Sequence, residues 1–226
     1  MDRELPIIFS TAMVRAILDG KKTQTRRVVS PIQVPYKLDE PIGEDTWAAV
    51  AQNSVRYGFC VFGKTAESVA KQTFCPICSV GDRLYVREAW AKLEDNTNNN
   101  IKGMVYRASE IDFYGNDDEH IWADDIKWKP SIHMPKKNTR IWLEVTGVRC
   151  EKLQDITEED AIKEGCQGEY DSFFGEDIID ASGAYQKLWD SLNAKRGYGW
   201  DKNPWVWVIE FKKVLAPSGG ESEGER

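Results

Sequence analysis

The sequence predicts an α+β fold: a small barrel of mostly antiparallel strands with flanking helices and long insertions. Three observations predict it. Helix signals are few and short, strand-like runs such as "GDRLYVRE", "TRIWLEVTGVRCEKL" and "PWVWVIEFKKV" are long and spread along the chain, and no internal repeat is visible. With 226 residues, the expectation is one elaborated domain over 1–215, insertions near 30–74 and 93–132, and a disordered tail at 216–226.

The first helix is "STAMVRAILDGKK", with Ser10 or Thr11 as cap, Met13, Ile17 and Leu18 at helical spacing, and Gly20 as stop. "TRRVV" follows as an extended piece. From Ser30 to about Phe74, prolines at 31, 35 and 41 and glycines at 43, 58 and 63 predict an irregular excursion with one short strand pair. "VGDRLYVREAW" alternates, Leu84 and Val86 on one face and Arg83, Tyr85 and Arg87 on the other, and reads as a strand. "EDNTNNNIKG" is a polar tip, "MVYRA" a strand, and "NDDEHIWADD" a solvated acidic loop. "TRIWLEVTGVRCEKL" is a long strand bent at Gly147. In "TEEDAIKEG", Thr157 caps a helix that Gly165 ends, with Asp160 where a capping box has Glu or Gln. "GAYQKLWDSLNAKRG" is a third helix, apolar at Tyr185, Leu188, Trp189 and Leu192, and the last strand precedes a tail of disordered composition.

Composition removes several function classes. A formal net charge of −7 argues against broad nonspecific binding to duplex DNA, which depends on many phosphate neutralisations. No apolar run approaches the roughly eighteen residues a membrane span needs, and "MDRELPIIFS" lacks the basic start and apolar core of a signal peptide. The expectation is a cytoplasmic protein with no membrane partner. Five cysteines fit reduced thiols, and nine tryptophans, several in strand-like runs, fit core packing better than base-stacking platforms.

Against that acidic background, "LDGKKTQTRRVV" concentrates Lys21, Lys22, Arg26 and Arg27. If the chain curls after Gly20, the Lys22 ammonium can meet the Thr25 hydroxyl; in a fully extended strand the two would point to opposite faces. A lysine among other cations or partly desolvated has its pKa lowered, and can then activate a threonine hydroxyl as nucleophile. The same residues also describe a solvated basic turn.

The stretch "GKKTQTRR" matches the pattern Gly, any, Lys, four of any, Arg, through Gly20, Lys22 and Arg27, and in this it resembles the ASCH family, whose domains are PUA-like barrels. Further segments fall in the order that family requires: "GDRLYVRE" looks like its Gly-Asp strand, "DITEEDAIKEG" resembles its acidic helix, and "WVIEFKKV" its closing strand. With "SIHMPKKNTRIWLEVTGVR" and "NPWVWVIEF", the whole is similar to the larger phage- and prophage-associated ASCH proteins. The resemblance extends to bacterial acetylcytidine amidohydrolases, and implies Lys22, Thr25 and Glu164 as the catalytic set for removing an acetyl group from the exocyclic amine of a modified cytidine. It implies no organic cofactor. Arg27 or backbone N–H groups could stabilise the oxyanion. The chain departs from the compact amidohydrolases by its two insertions, which bear on the substrate.

Other readings compete. "CPIC", Cys75 to Cys78, has the spacing of half a zinc knuckle, with Cys60 as the most plausible partner; no second pair completes it, so reduced cysteines packed near the barrel are the alternative. His133 either lines a pocket or is hydrogen-bonded in a loop. Lys21, Arg26 and Arg27, with a second cluster at Lys136, Lys137 and Arg140 and abundant aromatics, also suit a noncatalytic module binding RNA, single-stranded nucleic acid or a modified base.

Overall fold

The computed structural model of the chain describes residues 3–29, 35–42, 44–52, 59–70, 75–94, 101–109, 113–114, 121–122, 126–171 and 176–216. In chain order the elements are β1 (Glu4–Ile8), α1 (Thr11–Leu18), β2 (Gln24–Val28), β3 (Tyr36–Ile42), β4 (Asp45–Gln52), β5 (Phe59–Gly63) and α2 (Ala66–Ala70). There follow β6 (Arg83–Arg87), β7 (Trp90–Glu94), β8 (Ile101–Tyr106), β9 (Phe113–Tyr114), β10 (Ile121–Trp122) and β11 (Trp142–Lys152). The chain ends through α3 (Glu158–Lys163), β12 (Glu169–Asp171), β13 (Glu176–Ile179), α4 (Ala181–Asn193) and β14 (Trp205–Val214). The fold is mixed α+β with mostly antiparallel pairing and few helices.

Two compact units divide these elements. In the first (Met1–Arg15, Arg83–Glu144 and Lys212–Arg226), β1 pairs parallel with β6, from Glu4 opposite Arg83 to Ile8 opposite Arg87. β6 pairs antiparallel with the first residues of β11. Alternation along β6 buries Leu84 and Val86, as the sequence predicts, because a strand with one face packed must place every second side chain inside. β7 and β8 form an antiparallel pair that, with Ile126 and Trp128, covers Ala91 and Val105. Pro130 and Pro135 each precede a short 3-10 turn, Ser131–His133 and Lys136–Asn138, and the Arg87 guanidinium donates to the carbonyls of Met134 (2.9 Å) and Ile132.

In the second unit (Ala16–Asp82 and Val145–Phe211), the strand order is β11-β14-β2, with β14 antiparallel to β2 from Val206 opposite Val28 to Glu210 opposite Gln24. Its core joins Leu153, Ala161, Ala181, Tyr185, Trp189, Val206 and Val208, so α3 and α4 share one apolar seam with β14. The helices begin as capping predicts: Thr157 accepts from the Asp160 N–H at 3.2 Å, and Asp180 from that of Gly183 at 2.7 Å. The Glu158 carboxylate, carried by α3, accepts from the N–H groups of Ala181 and Ser182 and so fastens the start of α4.

Several expectations need correction. Residues 30–74 hold more than one strand pair: β3-β4-β5 form a three-stranded antiparallel sheet, followed by α2. Pro41 lies within β3, and β3 is an edge strand, where a missing N–H costs no ladder bond. Leu192 is 46% exposed, because Asn193 takes the buried place at the end of α4, donating to the Trp189 carbonyl at 3.2 Å. Among the described residues the strands pair in sheets of two to five. Tryptophans 90, 142, 189, 205 and 207 are buried, in keeping with core packing. The expected polar tip at 95–100, most of the acidic run and residues 217–226 of the tail lie outside the described residues.

Candidate active site

The turn after α1 does form. Gly20 adopts φ +73°, its N–H bonds the Ile17 carbonyl, and the N–H groups of Lys21 and Lys22 both reach the Ala16 carbonyl, at 2.9 and 3.0 Å. Lys22 then makes an isolated antiparallel bridge with Glu164, and the Thr23 N–H donates to the Lys163 carbonyl at 2.8 Å. Gly165, at φ +87°, permits this approach: a Cβ there would lie 3.0 Å from Ala16 Cβ and 3.2 Å from Lys22 Cβ. The end of α3 is therefore stitched to the turn that starts β2.

At this seam Lys22 Nζ donates to Glu164 Oε2 at 2.7 Å and to the Glu164 carbonyl at 2.8 Å. The two side chains are 0% and 3% exposed. Arg26, equally buried, donates from Nη1 to Glu164 Oε1 (3.2 Å) and from Nη2 to Glu151 Oε1 (2.7 Å) and Asp160 Oδ2 (2.9 Å). Arg149 holds the far side of those acids, at 2.8 Å from Glu151 and 3.1 Å from Asp160, and pairs with Glu210. Gly147 makes room for that last carboxylate, since a Cβ there would fall 2.6 Å from Glu210 Oε2.

These neighbours set the ionisation of the site. Burial pushes Asp160 up, but the hydrogen bond and charge of Arg26, then Arg149, outweigh it and hold the carboxyl below its ordinary range. Gln24 adds to this, although among the described residues neither end of its buried amide has a hydrogen-bond partner. Burial drives the Tyr185 phenol well above its usual value, reinforced by Glu164. It also pushes the Cys166 thiol up to about 11, with Lys22 pulling down and Glu164 up. Arg27 is pulled below its ordinary value by burial, against the opposing charge of Glu164.

The structure thus brings Lys22, Arg26 and Glu164 together. Thr25 is buried, opposite Ile209 in the β2–β14 register, but the strand pleat puts it and Arg27 on the face away from Gln24 and Arg26. Lys21 is exposed beside Asp19 at 3.6 Å. His133 and Lys136 belong to the first unit: His133 is exposed in its turn, and Lys136 pairs with Glu4 over the rings of Tyr85 and Trp142, at 5.6 and 5.7 Å. Arg140 of the second basic cluster is engaged by Glu88 at 2.8 Å and stacks over Tyr106.

Among the described residues no three His, Cys, Asp or Glu side chains gather as a metal site. Cys75 is half-buried and Cys78 buried, and neither forms a disulfide among the described residues. Cys60 falls in β5, and its side chain lies outside the described residues.

Sequence reasoning missed Arg149, Glu151 and Tyr185, and gave Asp160 a capping role only. A signal existed for two of them: Arg149 and Glu151 are charged residues two apart in a strand, hence on one face, and so suited to a shared network. Comparison with known proteins adds no relative: no protein-family model, no curated protein and no solved structure matches the chain.

Proposed function

We propose that the chain is an ASCH-type, PUA-like protein that hydrolyses the exocyclic amide of an acetylated cytidine or similar modified nucleoside, with Lys22, Thr25 and Glu164 at the centre. The observation that supports this reading most is the buried pair itself. Lys22 and Glu164 stand far apart in sequence, yet Nζ lies 2.7 Å from Oε2 with both side chains almost wholly out of water. A buried ion pair is a poor device for stability, because desolvation offsets much of the Coulomb gain, so its presence points to chemistry.

An ammonium has no lone pair. Catalysis therefore begins with transfer of one Nζ proton to Glu164 Oε2; the neutral amine then accepts the Thr25 proton as Oγ1 attacks the acetyl carbonyl. The C–N bond breaks, the cytidine amine leaves with the proton held by Glu164, and an acetyl ester remains on Thr25. Water loses a proton to the Glu164 carboxylate and adds to that ester; acetic acid leaves and ionises, Lys22 returns a proton to Thr25 Oγ1, and Glu164 passes its proton back to Lys22. Arg27, on the same face of β2 as Thr25, is suited to hold the oxyanion.

One observation favours a second reading, a noncatalytic module binding RNA or a modified base. The β2 pleat sets Thr25 on the face opposite Arg26, the residue of that strand that donates to Glu164. Acid quench of the protein during incubation with acetylcytidine, followed by peptide mass spectrometry, separates the two. The hydrolase reading expects one acetyl group on Thr25; cytidine release without it, undiminished in Thr25→Val, excludes this mechanism, and binding with no release leaves the second reading.

A further inference from the structure

We propose that Arg26 is a positioning residue, one that fixes the Glu164 carboxylate and through it Lys22, and that it contacts no substrate or nucleic-acid phosphate. This rests on the hydrolase reading for its kinetic readout, though not for its spectroscopic one.

The two oxygens of Glu164 are divided between two cations. Lys22 takes Oε2 at 2.7 Å, and Arg26 Nη1 takes Oε1 at 3.2 Å. A carboxylate so divided cannot turn about its last torsion without losing one partner, so Arg26 decides which oxygen faces the ammonium and in what direction. The guanidinium is itself fixed. Its Nη2 is shared by Glu151 and Asp160, at 2.7 and 2.9 Å, and Arg149 holds both of those acids from the other side. The Tyr185 ring lies 5.8 Å from the guanidinium carbon.

Access argues the same way. The Arg26 side chain is 0% exposed: carboxylates take both terminal nitrogens, and Nε, which has no hydrogen-bond partner among the described residues, is itself out of reach of water. Burial works against the charge on Arg26, but Glu164, Tyr185 and Glu151 outweigh it and hold the group above its ordinary value. The planar fork is what the position demands, since one ammonium cannot span Glu164 on one side and Glu151 with Asp160 on the other.

The test compares wild type, Arg26→Lys and Glu151→Gln. The last variant loosens the anchor without touching Glu164, and serves if Arg26→Lys fails to fold. Two readouts are taken: kcat and KM on acetylcytidine, and the side-chain ammonium signal of Lys22 in protein labelled at lysine nitrogen, assigned by its absence in Lys22→Arg. Positioning predicts kcat lower by about tenfold or more in Arg26→Lys, with KM within about twofold, and a smaller fall in Glu151→Gln. It also predicts at least about tenfold faster hydrogen exchange of the Lys22 ammonium in Arg26→Lys. A KM rise of about tenfold with kcat unchanged would mean that Arg26 binds substrate and overturns the proposal, as would unchanged kinetics with an unchanged Lys22 signal. Should wild type show no turnover, the hydrolase reading fails while Arg26 is still judged: faster exchange supports positioning, and an unchanged signal refutes it.

Discussion

Cys166 shows what the environment of Lys22 and Glu164 does to a single side chain. Burial raises its thiol to about 11, so the neutral thiol persists where a free cysteine would be ionised. It should therefore resist a thiol reagent at pH 8.5 until the protein unfolds, which a comparison of labelling in buffer and in denaturant, mapped by mass spectrometry, would show. Linkage carries the same fact into stability. The folded pKa lies above the unfolded one, so the contribution is complete below about pH 8.5 and is lost as pH rises toward 11. Denaturant midpoints measured across that window should fall, and fall less in Cys166→Ala. The identities of Lys22 and Glu164 were readable from motif resemblance. Their mutual burial was not, since it depends on Gly165 letting one backbone meet another.

At the scale of elements, α3 has only six residues, too few to hold itself, yet it carries Glu164 at its C-terminal end. Its boundaries were legible because they rest on local chemistry: Thr157 as cap and Gly165 as stop. Replacing Thr157 by alanine should destabilise the protein by about 0.5–2 kcal/mol. Gly165→Ala should cost more, about 2–4 kcal/mol, since it adds left-handed strain to contacts of 3.0 and 3.2 Å with Ala16 and Lys22. Thermal or denaturant melts check both, and equal effects would argue against the close approach. Less legible was the region 30–74, where turn residues mark strand ends and a proline sits in an edge strand, so punctuation hid a three-stranded sheet. Strand periodicity likewise shows which face is buried but carries no record of which strand lies alongside, so the β11-β14-β2 order could not be read.

For the whole molecule, the formal charge of −7 first set the basic turn at 21–27 apart as a surface that attracts anions. Two of its cations turn out to be internal, neutralised by Glu164, Glu151 and Asp160. Acid should therefore act on the fold through these pairs. The Asp160 pKa is depressed in the folded state, so its contribution is present above the ordinary carboxylate range and is lost as pH falls through the folded value. Stability measured from pH 5 downward should drop, and Asp160→Asn should flatten that limb while lowering stability at neutral pH; an unchanged limb would remove Asp160 from the network. Whether the buried pair catalyses is decided by chromatography: release of cytidine from acetylcytidine by wild type and by Lys22→Met, each confirmed folded by circular dichroism. Wild type should release cytidine and the variant should lose at least about a thousandfold, as expected for removing the proton-transfer group that activates a nucleophile. Equal release by both, or none by folded wild type, would contradict catalysis by the pair.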